Sequence, residues 1–90
     1  MTNYKINVDL VSENVKNVKR EILSRMEETD KLILDFSETN YVDSIGLGML
    51  VSIYKESIKE NTELKTENVN ENIKKLFRIT ALDGIFLTEN

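Results

Sequence analysis

The fold is decided by residues 31–48, which read KLILDFSETNYVDSIGLG. Residues 31–36 form a short apolar run with polar borders, a pattern typical of a central strand covered on both faces. From Ser44 onward, apolar side chains recur at spacings of three and four residues, which predicts an amphipathic helix of about four turns. These side chains are Leu47, Leu50, Val51, Tyr54 and Ile58. We expect Asn61 to end the helix in the left-handed conformation that glycine more often adopts.

The residues before this stretch predict another strand and another helix. Apolar and polar side chains alternate from Tyr4 to Leu10, as in a half-buried strand. Ser12 is expected to cap the helix that follows, which should end near residues 29–30. The apolar positions of that helix are again three and four residues apart. They are Val15, Val18, Ile22 and Met26.

The residues after it complete an alternating pattern of strands and helices. Residues 62–69 are mostly polar and predict a strand at a sheet edge. A short third helix should begin near Asn70, and Asp83 with Gly84 indicates a turn. Residues 85–87 predict either a last short strand or a helical tail packed on the sheet. This order predicts one α/β domain over residues 1–90, with a small mixed, largely parallel sheet of about four strands packed with three to four helices.

The composition excludes several classes of function. The chain has 90 residues, a formal net charge of −4, and neither cysteine nor histidine. Thiolate catalysis, disulfides, zinc–thiolate sites and histidine-dependent triads are therefore excluded. An acidic chain without a basic stripe does not favour nucleic acid as a partner. No apolar run is long enough to span a membrane and no signal sequence is recognisable, so we expect a cytoplasmic protein with no direct membrane insertion, no cofactor and no metal.

Residues 40–48 lie where a strand end meets a helix start, and they leave several interpretations open. A phosphate cradle would need more glycines than Gly46 and Gly48 supply, and Ser44 as a nucleophile would lack a base. Either Asp43 or Ser44 could cap the helix, with the two glycines letting its first turns lie close against the sheet. Ser44 as a regulated phosphate acceptor is the further interpretation. Tyr41 is either an exposed contact or an aromatic that closes over the core.

The same stretch resembles a known family. Residues 42–48 have the sequence VDSIGLG and follow the predicted strand 32–37. Together they are similar to the signature of the STAS domain, the family of bacterial anti-sigma factor antagonists. The resemblance continues through residues 69–77 and 80–86, which are similar to the third helix and the closing segment of the family. It covers about residues 30–87 in the right order and at the right spacing. The resemblance implies a small α/β layer, in agreement with the predicted element order.

The resemblance also implies a mechanism. The best-known members bind an anti-sigma factor that is also a serine kinase, which phosphorylates the serine after the aspartate of the motif and thereby ends the interaction. A phosphatase restores it. By this resemblance Ser44 is the candidate phosphoacceptor, and the other candidate partner-binding residues are Tyr41, Asp43, Ile45, Gly46 and Leu47. The protein would be a regulatory binding protein without enzymatic activity, either a monomer or a weak dimer.

This chain departs from the family pattern at the candidate site. Ile45 stands where members usually have a small or hydroxyl residue. The alternative is therefore a STAS subunit of a larger complex, such as a lipid ABC transporter or a sensory assembly, in which Ser44 is only a helix cap.

Overall fold

A computed structural model describes residues 1–88, which form three strands and four helices. In chain order they are β1 Thr2–Lys5, α1 Ser12–Met26, β2 Lys31–Asp35, α2 Ser44–Lys59, β3 Glu63–Glu67, α3 Glu71–Ile79 and α4 Asp83–Phe86. The sheet order is β1-β2-β3, and both pairings are parallel. The predicted α/β class is confirmed, with β2 in the centre and the polar β3 at an edge. The sheet of the described residues has three strands, all parallel, rather than the expected four.

The helices pack on one face of the sheet. Two right-handed crossovers that step in the same direction, from β1 to β2 to β3, place α1 and α2 on the same side. Leu32 and Leu34 of β2 point to that side and are fully buried. Ile33 points to the other side and is only partly buried, so the prediction that both faces of β2 are covered is wrong.

The opposite face of the sheet is polar. Asn3 on β1 donates a hydrogen bond to Glu67 on β3, with 3.1 Å from Nδ2 to Oε1, across the central strand. Lys65 and Glu63 form an ion pair at 3.5 Å on the same face. The Glu63 side chain is exposed and that of Lys65 is mostly covered, and the two charges keep the face hydrophilic.

The predicted first strand is wrong in its extent. The β1 ladder ends at Lys5, although the alternating burial continues through Ile6 and Leu10, which are both fully buried. Beyond β1 the chain leaves β2, and Leu10 instead forms an isolated parallel bridge with Val42. The alternating pattern of residues 4–10 therefore predicts correctly which side chains are buried. It does not predict which backbone segment these residues pair with.

The first two helices differ from their predictions in detail. In α1, Val18, Ile22 and Met26 are buried as expected, but the helix ends at Met26 rather than near residues 29–30. In α2 the expected apolar face is rotated, because Ile58 is 60% exposed. The buried residues of α2 are Gly46, Met49, Leu50, Ile53 and Ser57.

The last segment of the described chain is a helical tail, one of the two predicted forms. Asp83 and Gly84 begin α4 instead of forming the predicted turn. Phe86 on this helix is buried, with its ring 5.1 Å from that of Phe77 and 6.3 Å from that of Tyr54. The tail thus closes the helical side of the core.

Two helices end in the same hydrogen-bonded motif. After α2, the Thr62 N–H donates to the Ser57 carbonyl at 2.8 Å and Asn61 has φ of 56°, as the sequence predicts. After α3, the Leu82 N–H donates to the Phe77 carbonyl at 2.7 Å and Ala81 has φ of 60°. Both are Schellman ends, which need one left-handed residue. Asparagine tolerates that conformation, whereas alanine is strained in it.

We predict that Ala81→Gly stabilises the protein. Relief of the left-handed strain, at about 1–2 kcal/mol, exceeds the added entropy of the unfolded chain, at about 0.4–1 kcal/mol. The midpoint of urea unfolding should therefore rise. Asn61→Gly is the matched control and should change the midpoint much less. A lower midpoint for Ala81→Gly would contradict the strain.

Candidate functional site

The loops that follow the three strands meet at one edge of the sheet. These loops are residues 6–11, 36–43 and 68–70. Because the strands are parallel, their carboxyl ends lie together, and in open α/β sheets this edge is the usual place for a site. We call this region the carboxyl edge.

Side chains of Asp9, Thr39 and Asn70 hold the loops of the carboxyl edge together. The Thr39 hydroxyl, which is buried, lies 3.0 Å from the Ile6 carbonyl oxygen and 3.1 Å from that of Val8. Asp9 accepts from the backbone N–H of Asn40 at 2.8 Å. Asn70 caps α3 by accepting from the Ile73 N–H, and its amide also donates to the Thr39 carbonyl at 3.3 Å. The three loops are therefore fixed to one another by side-chain to backbone bonds.

Asp43 joins the N-termini of two helices. Its Oδ1 accepts from the Gly46 N–H at 2.8 Å and so caps α2, while Oδ2 accepts from the Ser12 N–H at 3.2 Å at the start of α1. The N-cap of α1 is Val11, whose side chain offers no acceptor, so the predicted cap by Ser12 is wrong. One carboxylate thus serves two helix ends and lies close to the positive ends of both dipoles.

Gly46 allows α2 to approach the backbone of Leu10. A Cβ at Gly46 would lie 2.0 Å from the Leu10 carbonyl oxygen. The same carbonyl accepts from the Asp43 N–H at 3.1 Å. Gly48, in contrast, is exposed, and a Cβ added there would meet nothing within 4 Å, so the expectation of close approach holds for Gly46 only.

Ser44 is the first residue of α2 and is exposed. Its hydroxyl makes no hydrogen bond within residues 1–88, because Asp43 supplies the cap. The interpretation of Ser44 as only a helix cap is therefore wrong. The Ser44 side chain therefore does not contribute a hydrogen bond that stabilises the start of the helix within residues 1–88.

The other candidate residues divide into exposed and buried ones. Tyr41 is 59% exposed and Ile45 is 53% exposed, so Tyr41 does not close over the core. Leu47 is partly buried, and Asp43 turns its carboxylate inward onto two backbone N–H groups. Gly46 is buried against Leu10 and lies beneath the exposed side chains of the candidate surface.

One titratable group at the carboxyl edge is shifted. The hydrogen bond from the Asn68 amide, at 3.0 Å, and that from the Ser37 N–H, at 2.9 Å, lower the pKa of the Asp35 carboxyl below its usual value. On β1, burial raises the pKa of Tyr4, against the opposing effect of the Arg25 guanidinium over its ring.

The described part of the chain holds neither a metal-binding cluster nor a membrane-spanning helix. Within residues 1–88, no group of three or more acidic side chains is arranged to hold a metal ion. No helix in the same range combines the length and the apolar character needed to cross a bilayer.

A family model described as "STAS domain" matches residues 1–90. The chain belongs to the STAS domain family. The predicted resemblance is thereby confirmed, and it extends over the N-terminal strand as well as over the 42–48 motif.

Curated relatives of this STAS domain are anti-sigma-B factor antagonists. The chain is 32% identical over 68 residues to the one from Bacillus subtilis, which covers 76% of this chain and 62% of the relative. It is 32% identical over 66 residues to the one from Listeria monocytogenes, which covers 73% of this chain and 58% of the relative. The aligned part is thus less than two thirds of the length of each relative.

Solved structures show the same fold. The crystal structure of a candidate anti-sigma factor antagonist from Thermotoga maritima matches with a TM-score of 0.83 and 24% identity, covering 93% of this chain and 74% of that chain. The antagonist SpoIIAA matches in its unphosphorylated form, with a TM-score of 0.68 and 17% identity over 87% of this chain and 74% of that chain. Bacillus SpoIIAA in its phosphorylated form matches with a TM-score of 0.71 and 16% identity over 99% of this chain and 83% of that one.

Sequence reasoning missed the residues that hold this STAS domain together at the carboxyl edge. No periodicity or motif in the sequence indicates that Thr39 and Asn70 connect the loops. Each bonds to a segment about thirty residues away. Asp9 precedes a helix, which suggests a local cap, yet it accepts from the N–H groups of Asn40 and Tyr41. A local rule cannot detect such long-range bonds.

We predict that Asp43→Ala destabilises the domain by about 1–3 kcal/mol, because two helix N-termini lose their acceptor at once. Asp43→Asn should cost less, since its amide oxygen can still cap α2. Urea unfolding followed by circular dichroism measures both. The control is Asp30→Ala, which removes an exposed carboxylate that caps no helix and should leave the free energy of unfolding within about 0.5 kcal/mol of wild type. An equal loss for the control would contradict the double cap.

We also predict opposite effects at the two glycines of α2. Gly46→Ala should destabilise by at least about 1–3 kcal/mol, since its Cβ meets backbone that cannot rotate away. Gly48→Ala should stabilise by about 0.5–1 kcal/mol, because it removes a flexible residue from an open helix position. The midpoints of urea unfolding of the two variants, measured side by side, test whether α2 approaches the backbone of Leu10 at Gly46. If both variants were stabilised, α2 would not depend on contact with Leu10.

Proposed function

We propose that the chain is a non-enzymatic regulatory binding protein, an anti-sigma factor antagonist whose partner is an anti-sigma factor with serine kinase activity. Phosphorylation of Ser44 ends the interaction and a phosphatase restores it. The observation that carries the proposal is the exposed Ser44 hydroxyl, free of hydrogen bonds within residues 1–88, at the start of α2. The names of the curated relatives support the antagonist role.

The position of Ser44 suits a modification that the fold tolerates. A phosphoserine carries a charge of about −1.5 to −2 and three acceptor oxygens. Beside it, the N-termini of α1 and α2 converge on Asp43, so that the positive ends of two helix dipoles face this region. Since Asp43 already caps α2, replacement of the Ser44 hydroxyl proton by a phosphoryl group breaks no internal bond.

The same charge would disrupt a partner interface. A partner that buries the neutral hydroxyl beside exposed Tyr41 and Ile45 must desolvate a dianion once Ser44 is phosphorylated. The Asp43 carboxylate is adjacent in sequence, and its repulsion of the phosphate is less screened once a partner excludes water from the interface. Bacillus SpoIIAA, which shares the fold, is known in both phosphorylated and unphosphorylated forms, and this supports a switch of the same kind.

Ile45 departs from the family pattern directly beside the proposed phosphoacceptor. Its β-branched side chain is 53% exposed directly beside the proposed phosphoacceptor. An exposed isoleucine next to a hydroxyl supplies apolar contact to a partner while the hydroxyl stays accessible. We propose that Ile45, Tyr41 and the partly buried Leu47 form the contact surface around Ser44.

We predict that Ser44→Asp weakens partner binding by at least tenfold, equivalent to about 1.4 kcal/mol, while Ser44→Ala binds like the unmodified protein and no longer responds to ATP. The partner is first recovered from the cells of origin with the tagged wild-type chain, then purified for calorimetric titration. Ser44→Ala should unfold at the wild-type urea concentration, since Ser44 makes no internal side-chain bond within residues 1–88. Ser44→Asp should stay within about 1 kcal/mol of wild type, because its charge interacts only with the helix dipoles and Asp43.

Two outcomes would contradict the proposal. Equal affinity of wild type and Ser44→Asp for the purified partner would exclude the charge switch. Recovery of a transport ATPase that stays bound to every Ser44 variant would instead support a subunit of a larger complex. Mass spectrometry of the recovered chain reads the phosphorylation of Ser44 directly.

A further inference from the structure

An apolar groove lies next to the proposed contact surface. It is a depression of about 280 Å³ between the loop after β2 and α3. Tyr41 lines one side, while Leu76 and Ile79 of α3 line the other. Tyr41 is 59% exposed and Ile79 is 72% exposed, so two large apolar side chains border the same opening. We call this feature the α3 groove.

The α3 groove is continuous with the surface around Ser44. Tyr41 belongs to both, and it precedes Ser44 by three residues, so their Cα atoms are at most about 11 Å apart. The intervening residues are fixed, because Val42 pairs with Leu10 and Asp43 bonds to two helix starts. A partner that covers Ser44 therefore reaches the groove with a single short segment.

The charge around the groove indicates what that segment carries. Among the described residues that line it, Lys75 alone is charged, and it is exposed. No acidic side chain stands in the lining formed by the described residues, although the whole chain has a net charge of −4. Arg78 lies on the same helix but lines a separate depression beside β3, so Lys75 carries the charge of the groove. The groove is thus complementary to an apolar side chain with a carboxylate beside it.

We propose that the α3 groove is a second contact for the partner, and that it receives a large apolar side chain flanked by an aspartate or glutamate of that protein. The inference rests on the proposed function, since it assigns the groove to the same partner that Ser44 regulates. The phosphorylatable serine controls whether the interface forms, and the groove supplies apolar anchoring that the charge change does not touch. Anchors of this kind carry a large part of the binding energy in interfaces.

The test uses the purified anti-sigma factor partner and pairs of matched variants. Ile79→Ala should weaken binding about tenfold, whereas Ile58→Ala removes another largely exposed isoleucine, from the far end of α2, and should stay within about twofold. Lys75→Glu should weaken binding and reduce its salt dependence, whereas Lys59→Glu reverses a charge at the end of α2 and should do neither. Urea unfolding of each variant establishes that the fold is kept.

The outcomes separate this inference from the proposed function. If Ser44→Asp abolished binding while Ile79→Ala and Lys75→Glu bound like wild type, the groove would not be a contact and the phosphorylation switch would stand. If Ile79→Ala weakened binding while Ser44→Asp did not, the groove would stand and the switch would fall. If sedimentation showed a wild-type dimer that Ile79→Ala converts to a monomer, a second copy of the chain would occupy the groove and overturn the proposal.

Discussion

The carboxylate of Asp43 is the interaction on which the rest of the carboxyl edge depends. Its two oxygens accept from the first turns of α1 and α2, and its own N–H donates to Leu10. The Leu10 carbonyl in turn sets how closely α2 approaches, because only glycine fits at position 46. One short segment therefore fixes two helices, one loop and the exposed start of α2.

Local rules predict the elements whose determinants lie close together in sequence. The central strand, the start of α2, the left-handed Asn61 and the start of α3 near Asn70 all follow from side chains within a few residues of the backbone they act on. The Asp43 to Gly46 cap is of this kind as well, which is why the motif of the site is visible in the sequence.

The errors arise where a distant segment competes with the local pattern. Ser12 looks like a cap, but its N–H is taken by Asp43 from 31 residues away. The alternating pattern of β1 continues past Lys5, yet the ladder stops because Leu10 pairs with Val42 instead of continuing along β2. Ile58 fits the helical period of α2, but the helix is rotated so that Ser57 faces inward. Each of these outcomes is decided by tertiary packing.

The two faces of the sheet themselves offer a partner little apolar surface. One face is filled by the helices, with Leu32 and Leu34 fully buried beneath them. The other is covered by polar and charged side chains, including the bond from Asn3 to Glu67 across β2. The polar groups of this face already have partners within the domain. A partner protein that covered them would therefore lose more free energy by removing water than it would gain from new contacts.

The carboxyl edge, in contrast, combines backbone that is fixed by internal bonds with apolar side chains that are left exposed. Asp9, Thr39 and Asp43 make those internal bonds, while Tyr41 and Ile45 between and beside them remain open. Binding there orders little backbone, so the part of the entropic cost of association that comes from loop ordering is small. Under the proposed function, an added charge at Ser44 would act on a partner held against exposed apolar side chains, while the internal bonds that fix the rim stay in place.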